Sequence, residues 1–324
     1  MHRDPFERIV SKTTPGIYES NYLKANSPDG AVGLWIKHNL LRPSEGPGKA
    51  EFWFILSFRD APPIVGKREV DLSQVELATD EIGIRSERIE LKRDAAKGSI
   101  ADCRWDLRLS KADEPMMHFP WDWMYTAGFP KKKAVTPAPH LQFDGEIQVG
   151  DRTFTVDGWE GIRGHNWGRE HAWTYAYGNC QLWDDSVRRH IDGFSARIKL
   201  GLGLKSPWLT TLVSTAPDRA LNRPGSWFGG VTVSPTHWSV RRRGATLEMA
   251  TDPERMVGLR YAHPDGTESY CYNTKFARVQ WAVDGTTHTS QLGELEVLTP
   301  EPVEGIALHP NPEWNQEQGD YIHR

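Results

Sequence analysis

From Ser99 to Leu109 the sequence reads SIADCRWDLRL, and in it Cys103, Trp105, Leu107 and Leu109 alternate with Asp102, Arg104, Asp106 and Arg108. A period of two belongs to an extended chain with one face buried and the other wetted. Shorter runs rich in β-branched and aromatic residues recur along the chain, among them Leu34 to Leu41, Glu51 to Phe58, Leu141 to Val149, Leu209 to Ser214 and Ser269 to Ala282. Between such runs the hairpin-forming dipeptide Asp-Gly occurs six times, at Asp29-Gly30, Asp144-Gly145, Asp157-Gly158, Asp192-Gly193, Asp265-Gly266 and Asp284-Gly285. No long amphipathic helix competes. The pattern predicts an all-β, mostly antiparallel protein.

The 324 residues are 38% hydrophobic, which is core material for one large domain or two modest ones. Strand signals continue on both sides of Asp184 to His190, so two β domains with a tight interface are expected, residues 1–189 and 190–324. The net charge of −4, with no long block of one sign, lacks the basic footprint of a phosphate-backbone binder, so nucleic acid is not an expected partner. The longest apolar run, Phe52 to Leu56, falls far short of the ~20 residues of a membrane-spanning helix, and the first residues show no secretory h-region. Cys103, Cys180 and Cys271 are widely separated with no CxxC, as reduced buried thiols are. A cytoplasmic protein without integral membrane association is expected; the oligomeric state stays open.

Residues 112–140 break the strand rhythm with five prolines, a basic triplet at Lys131 to Lys133 and the aromatic knot HFPWDWMY. Long aromatic loops inside compact domains are usually functional, so this one reads as a lid or packed crossover holding one short helix. Six of the 14 Trp residues fall between Trp121 and Trp183, a density that points to a wide core or to the wall of an apolar ligand cavity.

From Asp157 to Asp185 the chain reads DGWEGIRGHNWGREHAWTYAYGNCQLWDD, its densest concentration of glycines, aromatics and proton-transfer groups. The glycines predict bends that aim the side chains between them. In the strand that follows, Trp173, Tyr175, Tyr177, Asn179, Gln181 and Trp183 share one face, suited to a cavity wall, and Thr174, Ala176, Gly178, Cys180 and Leu182 the other, suited to close packing.

Gly164-His165-Asn166-Trp167-Gly168, preceded by the Asp-Gly hairpin and followed by His171 and the aromatic strand, resembles the signature of the carotenoid hydratase and AttH-like lipocalin superfamily. Tocopherol cyclase and the lipocalin-like Diels-Alderases are similar at greater distance. The resemblance implies two consecutive lipocalin-like antiparallel β-barrel domains over essentially the whole chain, with an active site for hydrophobic isoprenoid or polyene substrates. In those hydratases an acidic residue precedes the His of the motif and is the natural proton donor to an alkene. Here that position is Gly164, so the proton must come from His165 or from another carboxylate such as Glu160 or Glu170, or else the reaction differs.

An imidazole titrates near ~6.5, which makes His165 the leading proton-transfer candidate, against the plainer role of bonding a neighbouring strand. Glu160 between Trp159 and Trp167, Asp122 in the lid-like loop and Tyr175 on the aromatic face are its candidate catalytic partners; a solvated strand end or a barrel plug is the plainer reading. Candidate substrate-binding residues are Glu51 and Trp53 on an inward strand face, Trp121 and Tyr125 in the loop, and Asn166, Trp167, His171, Tyr177, Asn179 and Gln181. His165 and His171 with Asp184 or Asp185 match no metal-ligand spacing, so neither metal nor cofactor is expected. The expected function is cofactor-independent acid–base lyase or isomerase chemistry (hydration, dehydration, cyclisation) on a hydrophobic isoprenoid or aromatic small molecule. The alternatives are a non-catalytic carrier or sensor and a pericyclic cyclase.

Overall fold

The structure, a computed structural model, describes residues 8–324 apart from 13, 80, 112, 217, 264–266, 312, 315, 316 and 318. The expected Asp265-Gly266 turn therefore lies outside the described residues. Two curled antiparallel sheets account for the fold. The first contains β1 (Ile17–Asn26), β2 (Val32–Arg42), β3 (Lys49–Phe58), β4 (Ile64–Asp71), β5 (Glu76–Leu77), β6 (Gly83–Arg85), β7 (Ile89–Lys92), β8 (Ala95–Ile100), β9 (Cys103–Lys111), β10 (Met116–Met117), β11 (Lys132–Val149) and β12 (Arg152–Gly168). A one-turn helix, α1 (Trp123–Thr126), precedes β11. The second half comprises β13 (Thr174–Cys180), β14 (Ile191–Arg197), a separate hairpin of β15 (Lys199–Gly201) and β16 (Leu204–Lys205), β17 (Leu209–Thr215), β18 (Asp218–Leu221), β19 (Gly230–Ser234), β20 (His237–Arg242), β21 (Ala245–Ala250), β22 (Val257–Ala262), β23 (Glu268–Val283), β24 (Thr286–Thr299) and β25 (Leu308–His309). The final strand, β26 (Tyr321–His323), returns to the first sheet beside β4.

The deciding stretch folds as its alternation requires. Cys103, Trp105, Leu107 and Leu109 are buried on β9 while the residues between them are exposed, and Ser99 and Ile100 close the preceding strand across a tight turn. Phe54 stacks on Trp105 at 5.2 Å inside the first curl, and Trp238, Met249, Trp281 and Leu295 fill the second. Each fully buried side chain of this size removes apolar area worth about 1.5–3 kcal/mol.

A third cluster joins the halves: Trp35, Trp53 and Ile55 from β2 and β3 pack on Tyr175, Leu259, Tyr261, Cys271 and Leu298. Asn26 Nδ2 donates to the Lys275 carbonyl at 3.0 Å and the Tyr22 hydroxyl to that of Tyr177 at 2.8 Å, so the interface carries polar as well as apolar bonds. The sheets divide at residues 169–173 rather than at 189/190. The aromatic strand β13 belongs to the second sheet because its ladder partners are β14 and β24.

The Gly164–Gly168 segment is not a bend. It lies inside the 17-residue strand β12, paired with β1 on one side and β11 on the other. Its glycines serve close approach instead: a Cβ on Gly164 would fall 2.0 Å from Tyr22 Cζ. The expected loop over 112–140 is shorter than predicted, since β11 starts at Lys132, and it holds the one short helix expected of it. Among the described residues no helix is long and apolar enough to cross a membrane.

Candidate functional site

A cavity of about 560 Å³ opens where the two sheets meet under the segment 118–135. Its apolar lining includes Trp35, Phe119, Met124, Val135, Phe194 and Leu209, and it admits polar atoms at three places.

The first is His165. Its ring is 1% exposed and Nε2 donates to Glu19 Oε1 at 2.8 Å. Glu19 lies on β1 opposite Trp167, which makes His165 its diagonal neighbour on the adjacent strand. The carboxylate is fully buried and also accepts from the backbone N–H groups of Val10 at 2.9 Å and Ser11 at 2.6 Å. Burial pushes this carboxyl up, but the bonds from His165, Ser11 and Val10 outweigh that and hold it below its ordinary value of 4.5. An ionised Glu19 thus fixes the imidazole through a charge-assisted hydrogen bond.

The second place is a relay of hydroxyls. Tyr22 and Tyr177 line the cavity, bonded to each other, and the Tyr177 hydroxyl lies 3.5 Å from Asp192 Oδ2. Asp192 has no solvent exposure, also accepts a short bond from Thr136, and has the His118 and His190 rings 3.6 and 3.5 Å away. Burial pushes its carboxyl up from 3.8 to about 6. A group near that value exchanges a proton close to neutrality.

The third place is on the same face of β13, where the Tyr175 hydroxyl donates to Glu296 in a short bond, and burial, then Glu296 itself, drives the phenol well above its ordinary value. Lys132 Nζ sits 4.2 Å from the centre of the Tyr175 ring. His171, stacked on Tyr18 at 3.7 Å, completes that wall.

Of the residues picked from the sequence, the cavity collects His165, Asn166, Glu170, His171, Tyr175 and Tyr177, with Glu170 paired to Lys131. Trp167 does not reach it. It packs 4.6 Å behind the His165 ring, in a cluster with Ile17, Phe119, Met124 and Tyr125, and Tyr125 stays in that layer with its hydroxyl accepting from the Phe119 N–H. Asn179 bonds Glu294 and Tyr177 from behind the wall, and Gln181 is buried further along the strand outside the lining. Five of the expected site residues are placed elsewhere. Glu160 is exposed, since Trp159 and not the carboxylate takes the inward face of β12. Asp122 and Trp121 are exposed at the start of α1, outside the cavity. Glu51 is buried as alternation predicts, yet Lys67 at 3.0 Å and Asn39 at 2.9 Å consume it; burial raises its carboxyl, and Lys67 and Lys49 outweigh that. Trp53 beside it belongs to the inter-sheet core.

Sequence reading missed Glu19, Tyr22 and Asp192. The first two lie on IYESNYLKAN, whose mixed polarity gives no clean alternation, and Asp192 reads in the sequence only as half of an Asp-Gly turn, whereas it sits inside β14. Among the described residues no group of three or more His, Cys, Asp or Glu side chains is placed to hold a metal ion.

Two curled antiparallel sheets with a ligand-sized cavity at their junction define a double lipocalin-like protein, the architecture implied by the resemblance at Gly164–Gly168. Solved structures agree. An AttH from Nitrosomonas europaea superposes with a TM-score of 0.58 at 12% identity, covering 92% of this chain and 98% of that one. CghA with Sch210972 gives 0.56 at 11% identity, covering 87% and 88%. Kievitone hydratase from Nectria haematococca gives 0.50 at 9%, covering 91% and 94%. At these identities the likeness is one of fold. By sequence the chain is 26% identical over 298 residues to the uncharacterized proteins Rv0493c and MT0513 of two Mycobacterium tuberculosis strains, covering 84% of this chain and 85% of each of them. No family model matches it.

Proposed function

We propose that this protein is an acid–base catalyst of the lyase or isomerase type acting on a largely apolar small molecule, isoprenoid or aromatic, held in the inter-sheet cavity. One observation carries the reading: His165, fixed by a buried ionised Glu19, opens onto a largely apolar cavity. A site built only to hold a hydrophobic ligand gains nothing from burying a charged carboxylate behind a histidine, because desolvating that charge costs several kcal/mol. The fold shared with a hydratase supports the same reading.

Adding or removing water, or shifting a double bond, needs one group to give a proton and another to take one. In this site His165 takes it, with Glu19 compensating the imidazolium. Asp192 replenishes the other side: with the Tyr22 and Tyr177 hydroxyls rotated about their C–O bonds from the direction in which Tyr22 donates to Tyr177, the Asp192 proton passes to the Tyr177 oxygen, the Tyr177 proton to the Tyr22 oxygen, and the Tyr22 proton to the substrate. Phe119, Phe194 and Trp35 exclude water from the reacting carbon.

Trp35 in the lining makes intrinsic fluorescence a direct screen for ligands among isoprenoids, polyenes and phenolics, followed by product analysis of those that quench. His165→Ala is expected to lower turnover by about 10²- to 10⁴-fold, the usual loss for a general acid or base, with ligand affinity little changed. Tight binding without product from any ligand, and a His165→Ala protein indistinguishable from the parent, would replace the catalyst with a carrier.

A further inference from the structure

The proposed reaction leaves part of the cavity wall unused. Lys37 on β2 is buried with Nζ 3.9 Å from the centre of the Tyr261 ring, and Lys132 at the start of β11 rests on Tyr175. Both line the cavity. Among the described residues neither ammonium has a carboxylate within ion-pair distance or a hydrogen-bond acceptor; each lies against rings. His171, on the same wall, has a buried Nδ1 with no partner. These groups are mutual neighbours: the charges of Lys132 and Lys37 act on His171 and on each other, and both lysines feel Glu296. Among the described residues two carboxylates line the cavity, Glu170, which is paired with Lys131, and Glu296, which is already engaged by Tyr175. Two cations therefore face one anion in a medium where an unpaired charge is costly. A third lysine in the same half of the molecule, Lys67, shows the alternative, with Glu51 and Glu69 both in contact.

We propose that Lys37, Lys132 and His171 form an anion subsite that receives the carboxylate of an otherwise apolar ligand. The two ammonium groups supply the charge and His171 a further N–H, while the hydrocarbon part lies along Trp35, Phe194 and Leu209. This names the class of molecule for the cavity assigned above and rests on that assignment for its location. It does not rest on turnover.

The test is a fluorescence titration of the full chain with retinoate and with retinol, which share a skeleton and differ in the head group. Retinoate is expected to bind about 10-fold tighter or more, the worth of a charge-assisted bond in a dry site. Lys37→Met and Lys132→Met are each expected to reduce that preference and together to abolish it, with retinol affinity unchanged. Removing an unpaired buried charge does not threaten folding. Lys132→Arg, which keeps the charge, is expected to keep the preference. Equal affinities for acid and alcohol, binding of neither, or a preference that survives the double substitution would overturn the subsite. Because the readout is binding, a protein that converts no ligand would still display the preference, so the two proposals fail separately.

Discussion

Replacing Glu19 with glutamine tests the His165 pair without changing its shape. The carboxylate accepts from three donors, Val10 N–H, Ser11 N–H and His165 Nε2. Glutamine keeps one acceptor oxygen and turns an NH₂ toward a donor, so at least one charge-assisted bond becomes a contact between two donors in a site with no solvent. A lost bond of that kind costs about 1.5–3 kcal/mol and the orphaned donor adds to it, which places Glu19→Gln near 3 kcal/mol at pH 7. At roughly 2 °C per kcal/mol for a chain of this size the melting point should fall by about 6 °C. The pH dependence gives a sharper check. The carboxyl is held below 4.5 in the folded protein, so the unfolded chain binds its proton first as pH falls. The stabilisation is therefore complete above ~5 and is lost as pH drops through the native value, and the gap between parent and Glu19→Gln should close over that range. Thermal melts at pH 7 and in acid, with ¹⁵N spectra of the His165 ring to report its tautomer, read both effects. Equal melting points at pH 7, or a gap that does not narrow in acid, would refute the assignment of an ionised Glu19 as the partner of His165.

The other predictions touch the remaining layers of the site. Asp192 titrates near 6 in the fold against an ordinary 3.8, so ionising it costs stability as pH rises between those values. Asp192→Asn removes that cost, and urea unfolding should show the variant gaining on the parent by about 2–3 kcal/mol across this window and no further above ~7. Gly164→Ala forces the Tyr22 ring off its bond to Tyr177 and should destabilise by about 1–3 kcal/mol, with activity falling further than stability accounts for. Trp167→Ala hollows the layer behind His165 and should cost about 3–5 kcal/mol in chemical denaturation while leaving the cavity wall itself in place.

Strands with one wet face could be read from the sequence because burial leaves a period of two, as in β9 and in the Tyr175 and Tyr177 face of β13. Strands at the junction of the halves could not. β1 is buried along both faces, so Glu19, Ser20, Asn21 and Lys24 sit in the interior beside Tyr18 and Leu23 and mask any alternation. The same reason hid the proton-transfer partners: a buried carboxylate looks like a surface one until the donors around it are known, and those of Glu19 come from the segment before β1 and from a strand 146 residues away. Glu160 failed in the opposite direction, because neighbouring tryptophans in sequence fall on the other face of an extended chain. The sheet to which β13 belongs is hidden for a related reason, since strand propensity is local and does not say that β13 pairs with β14 and β24.

The glycine that departs from the hydratase pattern has a physical explanation in the register of β1 and β12. Gly164 stands directly opposite Tyr22, and the phenol ring lies where any side chain at 164 would have to be, with its Cζ 2.0 Å and its hydroxyl 2.2 Å from the missing Cβ. An acidic residue at 164 and a tyrosine at 22 therefore exclude one another. What fills the space is a phenol that lines the cavity and connects through the Tyr177 hydroxyl to the Asp192 carboxyl, which burial raises to about 6, the chain of groups on which the proposed proton transfer relies. Tyr22 stands directly opposite Lys37 in the β1–β2 ladder, so the proposed proton donor and the proposed anion subsite lie side by side on one sheet face.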